Sequence, residues 1–427
     1  MIKNEQGLRI AKLVHVSVDN GMTGNSNKYY NMFEQADGTV RCEWGRVGLA
    51  PKITIISASN FDSTYREKTG AKKGYVDQTE LFVETTAIST TTSGSVVDIK
   101  DNLVKRLFDD LMSYANKSIK QNYKVTQESV TEAQVTTAQN LVNEITRALK
   151  IGADISDINN KLLRLYTVIP RAMKDVRNHL FSPISDKRTL EIAQKTISNE
   201  QNTLDTMAGQ VELIKQQREA NKINEGVNAT KIDLLNQIGL KVSHVTDQKI
   251  LNEVRTLMGP NANQVKNVFE VINLKTQKKF DKNLETTKNK KTALYWHGSR
   301  NENWFNILQS GLLIRPAGAV HTGSMFGDGI YGANKAQKSI GYTSLRGSYW
   351  ASGSDNKAYL ALFDFHVGNE KHIKNHTSDC YTLNKSRLEK EGFDSVYAHG
   401  GADLRNDEFI VYDAAQVTVK YLVEISN

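Results

Sequence analysis

Cysteine is scarce in this 427-residue sequence, which contains only Cys42 and Cys380. Two thiols so far apart argue against a disulfide framework and for a reducing compartment, and they exclude an array of zinc fingers. Long apolar runs are also missing. No window approaches the ~18 uninterrupted apolar residues of a membrane span, so we expect no membrane partner. The first residues show no apolar stretch followed by small residues, and we therefore expect no secretory leader.

Acidic residues are outnumbered, since 55 lysine and arginine residues against 47 aspartate and glutamate residues give a net charge of +8. Much of this excess is local, because the segment from Lys275 to Lys291 carries seven lysines against Asp281 and Glu285. Such a segment favours nucleic acid or another polyanion as a partner, because binding releases counterions. On charge alone, a solvated lysine-rich surface explains it equally well.

The hydrophobic pattern divides the chain into three zones. From residue 8 to about 85, short alternating runs between turn clusters predict a small antiparallel sheet, followed by one helix that ends near Gly70. The polar, small-residue stretch at 85–95 has no periodicity and indicates a linker. Apolar residues then recur at helical spacing, which is typical of a bundle core. From about Leu240, strand candidates alternate with glycine-rich loops, which predicts a mixed α+β domain.

Three motifs follow one another in the last zone. The first is HGS, which places His297, Gly298 and Ser299 at the end of an apolar strand. The second is GSMFGDGIYGANKAQKSIGYTS, residues 323–344, and the third is NDEFIVYDAAQVTVKYLVEI, residues 406–425. Together they closely resemble the catalytic domain of the poly(ADP-ribose) polymerases. One such motif would be weak evidence, whereas three in this order and spacing are strong.

The resemblance extends toward the amino terminus. The segment WGRVG, Trp44 to Gly48, resembles the WGR domain, and LLRLYTVIP, Leu162 to Pro170, resembles the regulatory helical domain of the same family. The expected fold is therefore a multidomain α+β protein. Its predicted parts are a β-rich WGR domain at 1–84, a linker at 85–97, an all-helical regulatory domain at 98–217 and a mixed α+β ADP-ribosyltransferase domain at 218–427.

This resemblance implies a reaction in which ADP-ribose is transferred from NAD+ to proteins, the enzyme itself included. NAD+ is then a substrate, and we expect no cofactor beyond it. Breaking the bond between nicotinamide and ribose passes through an oxocarbenium-like centre. By resemblance, Glu408 binds a ribose hydroxyl and polarises the attacking hydroxyl, and the expected catalytic residues are Glu408, His297 and Tyr331.

The resemblance also implies how NAD+ is held. The expected binding residues are His297, Gly298, Ser299, Tyr331, Ser339 and Tyr342. Tyr342 should stack on the nicotinamide ring, because a flat aromatic ligand is best held between π faces. Ser339 should donate to the carboxamide oxygen, and Lys338 should border the acceptor side. Gly298 should let the backbone approach the carboxamide closely.

Some positions depart from the family pattern. The family often has a lysine where this chain has Asp328 and an aromatic where it has Gly332, so we expect a less bulky pocket wall after Tyr331. Family members often place a basic residue where this chain has Leu313. Arg315 lies nearby, and the adenine-side contacts stay open.

A zinc site is an alternative interpretation of one histidine-rich segment. His366, His372, His376 and Cys380 include a histidine pair four residues apart, and zinc accepts such ligands. The corresponding strand and loop bind no metal in the family, and we therefore expect none here.

The WGR resemblance implies that DNA is a partner. Trp44 and Arg46, and more weakly Asn27 and Lys28, are expected to meet the phosphate backbone near a break without reading base order. A structural role for Trp44 and Arg46 is the alternative. The protein would be nucleoid-associated if bacterial and nuclear if eukaryotic. Two other functions stay open: a mono-ADP-ribosyltransferase, and a DNA-end-binding scaffold with an inactive catalytic fold.

Overall fold

The computed structural model describes residues 1–4, 6–18, 25–82, 99–123, 130–224, 234–314 and 325–427. The predicted linker at 85–97 and Arg315 lie outside these described residues. The chain separates into two compact units. The first unit comprises Met1–Gly94 and Ser118–Val211, and the second comprises Ser95–Lys117 and Glu212–Asn427.

The secondary structure alternates between sheets and helices along the chain. The strands are β1 (Ile10–Val18), β2 (Asn25–Glu34), β3 (Thr39–Arg46), β4 (Lys52–Ser57), β5 (Val76–Asp77), β6 (Leu240–His244), β7 (Val265–Asn273), β8 (Thr292–Gly298), β9 (Ile330–Gly332), β10 (Lys357–His366), β11 (Glu370–Ile373), β12 (Ser395–Ala398), β13 (Glu408–Val411) and β14 (Val417–Ser426). The helices are α1 (Phe61–Thr69), α2 (Thr79–Phe82), α3 (Asn102–Tyr123), α4 (Glu132–Lys150), α5 (Ile155–Val168), α6 (Lys187–Asn224), α7 (Leu234–Gln237), α8 (Gln248–Met258), α9 (Leu274–Thr286), α10 (Trp304–Ser310), α11 (Ala336–Ile340) and α12 (Lys385–Glu391).

The first unit begins with an antiparallel sheet in the order β4-β3-β2-β1-β5. Alternate residues of its strands form one buried cluster, which includes Leu13, Met32 and Cys42 and is covered by Phe61 at the start of α1. Helix α1 ends at Thr69 with Gly70 as its C-cap residue. The predicted small sheet with one helix that ends near Gly70 is therefore confirmed.

The helices α4, α5 and the described part of α6 supply the second core of the first unit. Helix α4 starts with a capping box, in which the Thr131 side chain accepts from the Gln134 backbone and the Gln134 side chain accepts from the Thr131 backbone. Apolar stripes of α4 and α5, such as Leu141, Ile145 and Leu162, are buried against one another. These stripes form a helical core, as their spacing predicts.

The second unit contains a sheet in the order β6-β7-β14-β10-β8 and a smaller sheet in the order β11-β12-β13-β9. Its largest core also contains Leu107 and Phe108 from α3, and the Phe108 ring meets the Phe305 ring edge to face at 6.4 Å. The start of the predicted helical domain thus packs with the second unit. Helical periodicity identifies an apolar face but not the element that covers it.

None of the helices in the described ranges has the length and apolar character needed to cross a bilayer.

Candidate active site

The ends of three strands bring the HGS motif and the two later motifs together. Strand β8 reaches β9 through a pair of hydrogen bonds between Trp296 and Ala333, with N–H to carbonyl distances of 2.8 and 2.9 Å. Strand β9 pairs with β13, so that Tyr331 lies opposite Ile410. Residues far apart in sequence are therefore brought together where β8 of the larger sheet meets the smaller sheet, and Glu408 opens β13 opposite Ala398 of β12.

His297 is held by the strand that carries Tyr331. Its Nδ1 lies 3.0 Å from the Tyr331 carbonyl oxygen, which can only accept, so Nδ1 carries the proton. The ring also meets Phe363 edge to face at 6.0 Å. Burial lowers the pKa of His297, and the ring is therefore neutral at physiological pH with Nε2 as an acceptor. This form suits a hydrogen bond from a ribose hydroxyl.

Gly298 is required by the backbone that faces it. A Cβ atom at this position would lie 1.8 Å from the carbonyl oxygen of Ser339, which is backbone and has no room to move. The buried Ser339 hydroxyl donates to the Trp296 carbonyl at 3.1 Å. In this conformation Ser339 offers a ligand its oxygen as an acceptor, and the expected donor role would require the hydroxyl to turn. Ser299 accepts from Asn303 at 2.9 Å, which ties the turn to the next helix.

Tyr331 is fixed by its own loop. Its hydroxyl donates to the Gly327 carbonyl at 2.8 Å and accepts from the Phe326 N–H at 3.0 Å. Burial raises the pKa of Tyr331, and the charge of nearby Glu408 adds to this effect. The phenol therefore keeps its proton at physiological pH. We expect Tyr331 to shape the site rather than to take part in proton transfer.

Glu408 is a buried carboxylate at the start of β13 and only 7% exposed. Its Oε1 forms an ion pair with Lys338 Nζ from α11. Its Oε2 is buried and has no hydrogen-bond partner among the described residues. A buried carboxylate oxygen without a donor is costly, and such atoms are commonly reserved for a ligand. The Lys338 pairing was missed by sequence reasoning, since no local pattern links positions 70 residues apart.

Tyr342 follows α11, and its N–H donates to the Ser339 carbonyl at 3.0 Å. Burial, with a smaller contribution from the charge of Glu408, raises the pKa of Tyr342 to about 12. The indole of Trp350 stacks on the Tyr342 ring at a centroid distance of 6.1 Å and an angle of 17°. Sequence reasoning did not single out Trp350, because nothing in its local pattern distinguishes it from a loop residue.

The expectation that Gly332 makes the pocket wall less bulky is wrong. A Cβ atom at this position would lie 2.7 Å from Tyr295 Cβ and 2.9 Å from Phe365 Cζ, both in the protein core. Consecutive strand residues face opposite sides, so Gly332 turns away from the side that Tyr331 faces. The glycine makes room for core rings.

The histidine-rich segment distributes its side chains among different partners. His366 contacts Asn283 at 2.9 Å, His372 contacts His399 at 2.9 Å, and His376 contacts the Met325 carbonyl at 2.8 Å. Within the described ranges, no group of three or more histidine, cysteine, aspartate or glutamate residues is placed to hold a metal ion.

The residues expected to meet DNA all lie in the first unit. Arg46 donates to the carbonyls of Met173 and Lys174, and the fully buried Asn27 donates to the Arg171 carbonyl at 2.7 Å. DNA contact by the Asn27 amide would require this bond to open.

The other two expected DNA contacts are placed differently. Trp44 Nε1 donates to Thr54 at 3.1 Å with Lys52 over its ring, and Lys28 is exposed. Their role toward DNA stays a prediction.

A neutral histidine, a half-buried tyrosine and a buried carboxylate, contributed by neighbouring strands of two sheets, are the residues expected of an ADP-ribosyltransferase site. Residues 247–427 match the family model described as the poly(ADP-ribose) polymerase catalytic domain. The chain is also 34% identical over 163 residues to the poly(ADP-ribose) polymerase-like protein 100L of Invertebrate iridescent virus 6, which covers 38% of this chain and 85% of that protein. The chain belongs to the poly(ADP-ribose) polymerase family and is an NAD+ ADP-ribosyltransferase.

Longer relatives match most of the chain. It is 27% identical to chicken poly(ADP-ribose) polymerase 1, over 90% of this chain and 41% of that protein. It is 25% identical to the poly(ADP-ribose) polymerase of Drosophila melanogaster, over 96% of this chain and 46% of that protein. The chain thus spans less than half the length of these two relatives.

Proposed function

We propose that this protein makes poly(ADP-ribose) on proteins, itself included, in response to DNA breaks. The observation that carries the proposal is the carboxylate of Glu408, which is buried, paired through one oxygen and unpartnered at the other among the described residues. The free oxygen is suited to a ribose hydroxyl, and the negative charge would stabilise a sugar cation that develops beside it.

The chain elongation step needs more than NAD+ cleavage. An attacking hydroxyl becomes a better nucleophile when a carboxylate accepts its hydrogen bond. Lys338 holds Glu408 through Oε1, so the orientation of Oε2 is set before a substrate arrives. This preorganisation favours polymer synthesis over a single addition. Mono-ADP-ribosylation is the outcome if no second sugar reaches this oxygen.

The remaining site residues would hold NAD+. The neutral His297 can accept from the ribose of the adenosine half. The absence of a side chain at Gly298 leaves room for the carboxamide near the backbone. Tyr342 and Tyr331 would flank the nicotinamide ring with their π faces.

The first unit is the proposed DNA sensor. Its strand β3 ends in the WGR motif, and the exposed Lys28 lies opposite Arg46 in the neighbouring strand β2. These cations would contact phosphates, which position the protein without reading sequence. We further propose that the first unit restrains NAD+ use by the second until DNA binds, which shifts an equilibrium between two states.

The deciding experiment incubates the full chain with radiolabelled NAD+, with and without nicked duplex DNA. A ladder of heavily modified protein that requires the duplex supports the proposal. A single increment would instead show a mono-ADP-ribosyltransferase, and DNA binding without incorporation would show a scaffold. The variant Glu408→Gln is the control for catalysis by the chain itself.

The proposed DNA contact is tested with one variant and one matched control variant. Lys28→Ala should lower affinity for nicked duplex and reduce the slope of log affinity against log salt by about one. Lys73→Ala removes another exposed lysine of the same unit and should leave the slope unchanged. Equal slopes in the two variants would remove Lys28 from the interface.

Autoinhibition needs a variant that spares the core of the second unit. Deletion of residues 98–215 would remove Leu107 and Phe108 from that core. A change in NAD+ turnover could then come either from misfolding or from lost regulation. Loosening the first unit through Arg171→Leu is cleaner, because Arg171 pairs with Glu200 inside that unit. DNA-free NAD+ turnover should rise in this variant. Turnover as low as in the unaltered chain would contradict autoinhibition.

A further inference from the structure

A loop beside the site exposes two large aromatic side chains. Tyr349 is 78% exposed and Trp350 is 62% exposed, and their rings meet edge to face at 4.7 Å. Neither residue belongs to the motifs that point to NAD+. Exposed aromatic rings cost hydration free energy, so a fixed pair next to an active site calls for an explanation.

The loop is held firmly by hydrogen bonds. The N–H groups of Trp350 and Ala351 both donate to the Gly341 carbonyl, at 2.9 and 3.1 Å. Arg300 donates to the Ala351 carbonyl at 2.9 Å, and the Gly353 N–H donates to the Ser348 hydroxyl at 2.8 Å. The indole of Trp350 therefore has a defined place.

That place is against one face of Tyr342. The two rings are nearly parallel, with centroids 6.1 Å apart, which lies within the range of offset stacking. Packing is also close at the preceding residue, where a Cβ atom on Gly341 would meet Trp350 Cδ1 at 3.1 Å. A phenol ring has two faces, and the offset indole of Trp350 lies against part of one of them.

We infer that Trp350 is a positioning residue that fixes the Tyr342 ring for stacking on nicotinamide, so that affinity for the nicotinamide half of NAD+ depends on a side chain outside the site. This inference rests on the proposed role of Tyr342. Without the indole, the phenol can turn about its side-chain bonds, and a ligand must then order it on binding. With the indole, that ordering is already complete.

The test separates the two halves of NAD+ by using nicotinamide and ADP-ribose as probes in calorimetric titrations of the full chain. Trp350→Ala should weaken nicotinamide binding about three- to tenfold, in line with the contribution of one aromatic pair. ADP-ribose binding should stay unchanged. In turnover assays, KM for NAD+ should rise with little change in kcat, because binding that is equal in ground and transition states is lost.

Two further variants distinguish positioning from general damage. Trp350→Phe keeps a stacking ring and should restore most of the nicotinamide affinity. Tyr349→Ala removes the neighbouring exposed ring, which contacts Trp350 through its edge, and should bind nicotinamide like the unaltered chain. Thermal unfolding of each variant checks that the fold is intact.

Equal nicotinamide affinity in Trp350→Ala and the unaltered chain would overturn the inference. So would a matched loss of nicotinamide and ADP-ribose binding, because the effect would then not be confined to the stacking end. If the proposed function itself is wrong, the binding and turnover measurements give a different result. The unaltered chain would bind neither probe and release no nicotinamide from NAD+, and the inference would fall with it.

Discussion

Each unit of the protein contains a buried ion pair between a glutamate and a cation. The two pairs differ in how many carboxylate oxygens have a hydrogen-bond partner. In the first unit, both oxygens of Glu200 accept from the Arg171 guanidinium, at 2.5 and 2.9 Å. In the second unit, Lys338 takes one oxygen of Glu408 and leaves the other without a partner among the described residues. Side-chain exposure is low in both, at 7% and 12% for the first pair and 14% and 9% for the second.

We interpret the difference as one between a structural pair and a pair suited to a ligand. A planar guanidinium matches both carboxylate oxygens, whereas an ammonium is a point charge that satisfies one. The complete pair fixes the segment that accepts hydrogen bonds from Asn27 and Arg46. The incomplete pair keeps a charged oxygen buried at a cost, which a bound hydrogen-bond donor would offset.

The largest effect should come from the incomplete pair. Glu408→Gln should lower NAD+ turnover on the order of 100- to 1,000-fold, since it removes the charge beside the developing cation. Nicotinamide release measures this directly. Glu424→Gln is the matched control, because Glu424 is also buried in the second unit but lies on β14 in the larger sheet, where it accepts from Asn267 at 2.7 Å. Similar losses in both variants would contradict a special role for Glu408.

The complete pair should matter for stability instead. Arg171→Leu leaves Glu200 buried without its bidentate partner and should lower the free energy of unfolding of the first unit by about 3 kcal/mol. Urea denaturation followed by helical circular dichroism measures the change. Arg177→Leu breaks an exposed pair with Asp175 and should have little effect. Equal midpoints for the two variants would show that burial of the Arg171 pair contributes nothing.

The glycines of the two named motifs give a second contrast. Gly298→Ala places a Cβ against a fixed carbonyl and should cost about 1–3 kcal/mol of stability together with NAD+ affinity. Gly45→Ala in the WGR motif meets its nearest atom, Ala50 O, at 3.7 Å, an ordinary contact, and should be tolerated. Thermal unfolding and NAD+ titration of both variants test this. Normal NAD+ binding by Gly298→Ala would mean that the backbone there can shift.

The smallest effect concerns pH. Burial lowers the pKa of His297 in the second unit and of His179 in the first, from an ordinary value of 6.5. Below pH 6.5 the unfolded chain therefore binds protons that the folded chain does not, and stability should fall as pH drops through this range. Proton NMR titration should place both midpoints under 6.5. A midpoint for His297 above 6.5 would contradict a neutral ring.

Much of the site could be predicted from motifs, because short segments carry the residues that touch NAD+ in this family. The structure places His297 beside the Tyr331 backbone and lets the charge of Glu408 act on Tyr331 and Tyr342. Sequence could not predict that Lys338 pairs with Glu408 or that Trp350 stacks on Tyr342. These contacts depend on how loops fold back, and no periodic pattern records them.

The sequence by itself determined the elements and the family: the antiparallel sheet, the helical stripes of α4 and α5, and the order of the three catalytic motifs. Only the tertiary structure decided which surfaces those elements cover. It placed Leu107 and Phe108 of α3 in the core of the second unit and turned Gly332 toward Tyr295. The reason is that local patterns report which side of an element avoids water, whereas the identity of the covering partner depends on long-range packing.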